Sequence, residues 1–124
     1  MTRTVTTADG RELRLAASAL LPRQYRYHFN RDLILDIKRA LEASGKSLAE
    51  IQASPDAVSF DAIDMTVFEN LAWLMLRAGG EPVGGDPEEW LAAEEDPLLI
   101  YTLLPAVIAL WAANTATTAK PKKK

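Results

Sequence analysis

Seventeen uncharged residues in a row, Pro97 to Ala113, lie between Asp96 and Asn114 and read P-L-L-I-Y-T-L-L-P-A-V-I-A-L-W-A-A. A run of this kind has to leave water, either into the interior of a small helical domain or into a bilayer. Crossing a bilayer takes about 17 to 25 residues, so the run sits at the lower limit, and the lysines beyond it would suit a tail anchor. The buried helix is preferred. Pro105 falls mid-run, where it removes a backbone donor, and Tyr101 and Thr102 place hydroxyl groups nearby. Within a folded domain a neighbouring element or water can serve the carbonyl that the proline leaves.

The rest of the chain must then supply the cover. At 124 residues it suffices for one domain with a real core and is too short for two ordinary ones. A hydrophobic fraction of 48% with 25% charged residues is that of a globular chain. The absence of cysteine excludes disulfides and thiolate metal sites and is compatible with a reducing compartment. Met1 to Gly10 is polar and carries no signal-sequence pattern, which points to the cytoplasm.

The charge is unevenly placed. Residues 1–46 hold nine Lys or Arg against five acids, residues 47–119 hold Arg77 against twelve, and the tail adds four lysines, leaving a net of −3. One end of the molecule can therefore attract the other end of a second copy, while the acidic middle repels nucleic acid.

Two short strands, Thr2 to Thr7 and Arg11 to Leu15, flank Ala8-Asp9-Gly10. A two-residue Asp-Gly turn pairs Val5 with Arg14. A three-residue loop with a left-handed Gly10 and a bulge instead sets Val5 opposite Leu13, which places the apolar residues on one face and is preferred. Such a hairpin is marginal alone, so Val5, Leu13 and Leu15 must pack on helices. Ser18 suits the cap of a short segment with Leu20 and Leu21, and Pro22 suits the first turn of the next helix. Arg23 to Phe29 alternates basic and aromatic residues, a pattern that can stack on single-stranded nucleic acid but here fits a helix with an aromatic inner and a basic outer face. From Arg31 to Ala43, Leu33, Ile34, Ile37 and Leu41 recur at helical spacing, with Asp36, Lys38 and Arg39 outward, Asn30 as cap and Gly45 as stop.

Ser47-Leu48-Ala49-Glu50 has capping-box spacing ahead of Pro55, and residues 54–59 read as a connector. A strong helix from near Asp64 to Ala78 carries a wide apolar face of Val67, Phe68, Leu71, Ala72, Leu74, Met75 and Ala78, ended by Gly79-Gly80. Asp86-Pro87-Glu88-Glu89 opens the next helix with a cap, a proline and acids where the dipole favours them, ending by Glu95. Asp96-Pro97 repeats that start for the apolar run, which Pro105 kinks rather than terminates; Asn114 to Ala119 frays. The expected architecture is mainly α, a small helical domain with an N-terminal β-hairpin: one domain over residues 1–119 (hairpin 2–15, helices 18–114) and a disordered basic tail, 120–124.

Chemistry is hard to place on this chain. His28 is the only histidine, and neither a Gly-x-Ser-x-Gly elbow nor a cysteine nucleophile accompanies it. Glu88, Glu89, Glu94, Glu95 and Asp96 sit on a helix and its cap rather than around a calcium-loop glycine turn. They read as a solvated face. Trp73, Trp90 and Trp111 fall on apolar helical faces, where packing is the default. The expectation is no catalytic residue, no metal and no cofactor.

Several passages together resemble the tail assembly chaperones of long-tailed, siphovirus-type phages and prophages of Gram-positive bacteria. Pro22-Arg23-Gln24-Tyr25-Arg26 followed by Phe29-Asn30-Arg31-Asp32-Leu33 is similar to the family's arginine-tyrosine-arginine and Phe-Gly-Arg-Asp passage. Asn30 replaces the usual glycine but also tolerates a left-handed backbone. Phe68-Glu69-Asn70-Leu71-Ala72-Trp73-Leu74-Met75 resembles the central helix, and Pro87-Glu88-Glu89-Trp90-Leu91 leads into Ile100-Tyr101, Leu104-Pro105, Leu110-Trp111 and Asn114-Thr115, before a closing lysine run.

The resemblance implies a non-enzymatic chaperone of the host cytoplasm that coats the helical tape-measure protein, keeps it soluble and gives way as tail-tube protein polymerises around it. Homo-oligomers and a longer, frameshifted form of the same chain are further partners it allows; membrane and nucleic acid are not among them. The residues singled out for partner binding are Trp90, Leu91, Trp111 and the tail lysines Lys122, Lys123 and Lys124. The alternatives are a small tail-anchored membrane protein using Pro97 to Ala113 and a nucleic-acid-binding regulator using Arg23 to Phe29 and the tail. If the lysine run marks a slippery site, the gene should show an adenine-rich heptamer there and an open frame downstream; sequencing that finds neither removes the frameshift.

Overall fold

The computed structural model describes residues 1–45, Glu50 and residues 65–119. Among these the chain forms β1 (Thr2–Thr6), β2 (Glu12–Ala16), α1 (Leu21–Phe29), α2 (Leu33–Ser44), α3 (Thr66–Ala78), α4 (Pro87–Ala93) and α5 (Leu99–Ala119). It is mainly helical, with an N-terminal antiparallel hairpin. The capping-box and connector readings at residues 47–59, and the tail lysines, lie outside the described residues.

The hairpin takes the three-residue-loop register. Val5 pairs with Leu13 and Thr2 with Ala16, and Gly10 is left-handed with φ 89°. Thr7 N–H donates to the Arg11 carbonyl at 2.8 Å and Gly10 N–H to the Thr7 carbonyl at 3.0 Å, the bonds of a tight turn followed by a bulge. The Thr7 hydroxyl donates to Asp9, which holds that carboxyl below its ordinary range, with Arg11 adding to the effect. Leu13 and Leu15 are buried and Val5 packs against the same cluster. The hairpin thus gains the helical support that it lacks alone.

Helix α3 is the hub. It touches β2, α1, α2, α4 and α5, and from Val67 to Leu76 every residue except Glu69 is buried. Its end meets β2 closely: a Cβ on Gly79 would overlap the carbonyl oxygen of Arg14. The Glu81 carboxylate then accepts from Arg14 N–H at 2.9 Å, so residues 79–81 cover that part of the outer side of β2.

Helix α5 packs on α3 and on both strands. Leu103 to Trp111 is buried throughout except at Pro105, so the helix has hardly a polar side along this stretch. Pro105 shares the exposed side with Tyr101, whose carbonyl lies four residues back. The missing donor therefore faces water rather than the core, and the helix runs through the proline. Asp96 starts the turn that leads in, accepting from Leu98 N–H at 2.9 Å. The helix continues to Ala119 instead of fraying from Asn114; nothing between Asn114 and Ala119 is a Gly or Pro stop. Among the described residues no helix is long and apolar enough to cross a membrane.

Three readings at the α1–α2 corner are corrected. Asn30 is not the cap of α2 but ends α1, left-handed at φ 55°. Asp32 caps α2, accepting from Leu35 N–H. Asp36 does not face out: it is 9% exposed, takes the Tyr25 hydroxyl at 2.8 Å and is gripped by Arg31 through Nε at 2.7 Å and Nη2 at 2.8 Å. Arg31, joined by Tyr25, holds its carboxyl below the ordinary range. Ile34, expected inside, is 62% exposed, because Leu33, Ile37 and Ala40 take the core side. Ala78 is also exposed, and α4 stops at Ala93.

Substituting Gly79→Ala drives a methyl group into a backbone carbonyl that cannot move without the strand. The expected cost is about 1–3 kcal/mol, read as a lower urea midpoint with unchanged slope; a midpoint equal to that of the parent refutes the close approach.

Candidate functional interface: the α1–α3 seam

Helix α1 packs on α3; Arg23, Gln24 and Tyr27 line one hollow together with Leu74, Arg77 and Ala78, and Phe29 lines another together with Thr66, Glu69 and Asn70. Two open hollows run along this seam and both reach His28. The first, of about 660 Å³, is lined by Arg23, Arg26, Tyr27, Leu74 and Arg77 among others. The second, of about 710 Å³, is lined by Phe29, Glu69, Asp86, Glu88 and Leu91 among others. One end is basic and the other acidic, and apolar side chains contribute to both.

The midpoint is built on Trp73, buried in α3. Its Nε1–H donates to the Val83 carbonyl at 3.2 Å, and Arg77 lies over its ring with Cζ 5.3 Å from the centroid, within the range of a cation–π contact. His28 meets the ring edge-on at 5.2 Å and Phe29 at 6.0 Å. Arg77 Nη1 lies 2.7 Å from His28 Nε2. An arginine can only donate, so Nε2 accepts and the ring is neutral with its proton on Nδ1. Burial, then the Arg77 charge, lowers the His28 pKa.

This neighbourhood suits binding better than proton transfer. The aromatic partners of His28 are Tyr27, Phe29 and Trp73, and the ring faces no serine or carboxylate among the contacts described. Tyr27 is 83% exposed and stands edge-on to His28 at 5.1 Å, a large apolar surface beside three guanidinium groups. Among the described residues neither Arg23 nor Arg77 is ion-paired, and Arg26 reaches Asp32 only at 3.8 Å.

Of the residues singled out from sequence, Leu91 alone lines this seam, half-buried. Trp90 and Trp111 are 5% and 8% exposed and belong to the core cluster, so a partner reaches them only by opening the fold. Lys122, Lys123 and Lys124 lie outside the described residues. The acidic residues are partly occupied within the fold: Asp86 caps α4 through Glu89 N–H, Glu89 accepts from Gly85 N–H, and Glu94 takes both Arg11 terminal nitrogens. Among the described residues no three His, Cys, Asp or Glu side chains are placed to share a metal ion. The passage from Pro22 to Leu33 supplies the α1–α2 corner through Tyr25, Asn30, Arg31 and Asp32, while Arg23, Arg26, Tyr27 and His28 are exposed on α1. Arg77 could not be joined to them from sequence, since it stands forty-nine residues from His28 and meets it only in the fold.

Comparison with protein-family models, with curated proteins and with solved structures gives no match.

The single histidine makes the midpoint measurable. Its proton resonance should titrate below the ordinary 6.5, and the contribution of neutral His28 to stability, complete above that value, should fade as pH drops through the lower folded value. In Arg77→Ala the titration should move part of the way back up, because burial remains. A midpoint at the ordinary value in the parent chain refutes the contact.

Proposed function

We propose that this chain is a non-enzymatic tail assembly chaperone of the long-tailed phage type, working in the host cytoplasm. It holds segments of the helical tape-measure protein and releases them as tail-tube protein polymerises. The observation that carries the reading is the open α1–α3 seam: a surface with apolar and charged walls on a domain whose other apolar faces are largely spent on its own core. Amphipathic helices dock in such grooves through anchors at i, i+3, i+4 and i+7. Helix α1, with 9 residues, limits the seam to about 13 Å at 1.5 Å per residue, room for about two and a half turns of a partner.

The physical chemistry fits the task. A long amphipathic helix without its tube exposes a continuous apolar stripe, and many copies of a small domain, each covering a few turns, would keep it from aggregating. Each contact must be weak enough to be displaced, and a shallow, water-exposed groove is of that kind. The resemblance of the passages at Pro22 to Leu33, Phe68 to Met75 and Pro87 to Leu91 supplies the identity of the helix.

The test is co-expression with the long, helix-rich tape-measure candidate of the same gene neighbourhood, followed by pull-down and light scattering. The expected outcome is a soluble complex with many copies of this chain on each tape-measure molecule. An insoluble candidate beside an inert monomer overturns the reading.

A further inference from the structure

We infer that the basic hollow between α1 and α3 takes acidic helical segments: two carboxylates one turn apart on a partner helix seat on Arg23, Arg26 and Arg77, with an apolar neighbour against Tyr27 and Ala78. The inference rests on the reading of the seam as a helix-docking surface and adds which helices that surface accepts.

Helical spacing puts Arg23, Arg26 and Tyr27 on one side of α1, with the Cβ atoms of the two arginines about 5–6 Å apart. All three line the hollow of about 660 Å³, and Arg77 and Ala78 of α3 line it with them. Among the described residues the three arginines share one ion pair, Arg26 with Asp32 at 3.8 Å, and the Arg26 side chain is 70% exposed. Arg77 is steadied by partners without charge, His28 Nε2 at 2.7 Å and the Trp73 face at 5.3 Å. Its position is set while its charge is left unanswered. A basic face that only meets water carries its arginines on loose side chains; here one of the three is already placed, which lowers the ordering cost of a charge-assisted contact.

A guanidinium group holds carboxylate and phosphate alike, and Tyr27 can receive a base as readily as a leucine. Charge decides between them. A nucleic acid bears a phosphate at every step and runs on past three arginines, over a chain whose residues 47–119 hold Arg77 against twelve acids. The acids of a helix can stop after one turn. On such a partner, carboxylates at i and i+3 or i+4 stand about 5–6 Å apart, the interval between Arg23 and Arg26, and Arg77 meets them from the other wall. The match is complete within this one hollow.

The test uses the full chain and labelled helical peptides that share one Leu/Ala stripe and differ at two positions four apart, which carry Glu, Gln or Lys; oligouridylate is the fourth probe. At low salt the Glu peptide should bind at least tenfold more tightly than the Gln and Lys peptides and than oligouridylate, with the gap narrowing as salt rises. In the double variant Arg23→Glu, Arg26→Glu the preference should pass to the Lys peptide, a gain of binding that misfolding cannot imitate.

Equal binding of the Glu and Gln peptides, an unchanged preference in the variant, or tighter binding of oligouridylate overturns the inference. So does a parent chain that self-associates at low salt, binds no peptide and becomes monomeric in the variant, since a second copy then fills the hollow. If the variant solubilises the tape-measure protein as well as the parent does, acidic recognition of that client falls and the chaperone reading stands. If the parent binds the Glu peptide and solubilises nothing, the hollow keeps its acidic partner and the chaperone reading falls; if it does neither, both fall.

Discussion

The indole of Trp73 is held from every side, and the surrounding elements take their positions from it. Its N–H ties down the loop before α4 through the Val83 carbonyl, its edges seat His28 and Phe29 of α1, and its face carries Arg77. One side chain thus fixes a loop, a helix and a cation in a common frame. Emptying such a site costs about 3–5 kcal/mol, a large part of the roughly 5–15 kcal/mol that holds a domain together. The polar atom of the ring is satisfied by a backbone carbonyl, so the burial carries no unpaired donor.

The frame explains why the outer surface of α1 can be exposed without cost to the fold. Tyr25 and Leu21 face inward, and Tyr25 is pinned by Asp36, whose charge is answered by Arg31. That corner is held by hydrogen bonds and by Asn30 in the left-handed conformation as well as by the buried Leu33 and Ile37. Arg23, Arg26 and Tyr27 are thereby released from structural duty. Basic residues of α1 and acidic residues of α3 and α4 line two neighbouring hollows that both reach His28.

Local chemistry was readable wherever the cause is local. The bulged hairpin follows from keeping Val5 and Leu13 on one face, and Asp86-Pro87 starts a helix because a cap and a proline at the first turn do so in any context. The burial of α3 follows from the density of its apolar residues. What could not be read depends on pairing across the chain. Asp36 looks like a surface acid until Tyr25 and Arg31 are brought to it, and Ile34 looks like core until Ala40 proves to be the residue that faces inward. Asn30 and Asp32 both suit a cap, and the difference is made by which of them must turn the chain. For the seam, the alternation of arginine and aromatics from Arg23 to Phe29 was visible, whereas its second wall was not: Arg77 is an ordinary helical residue until the fold brings His28 to it.

The cover over β2 carries a consequence for how the domain behaves among its neighbours. A two-stranded sheet has two open edges, each an invitation to a foreign strand and so to fibrous aggregation. On β2 the Arg14 N–H is already claimed by Glu81 and the Arg14 carbonyl lies against Gly79, so an incoming chain finds neither the donor nor the room to add a strand there. At Arg14 the sheet therefore ends against its own helix rather than offering a place for a strand of another molecule.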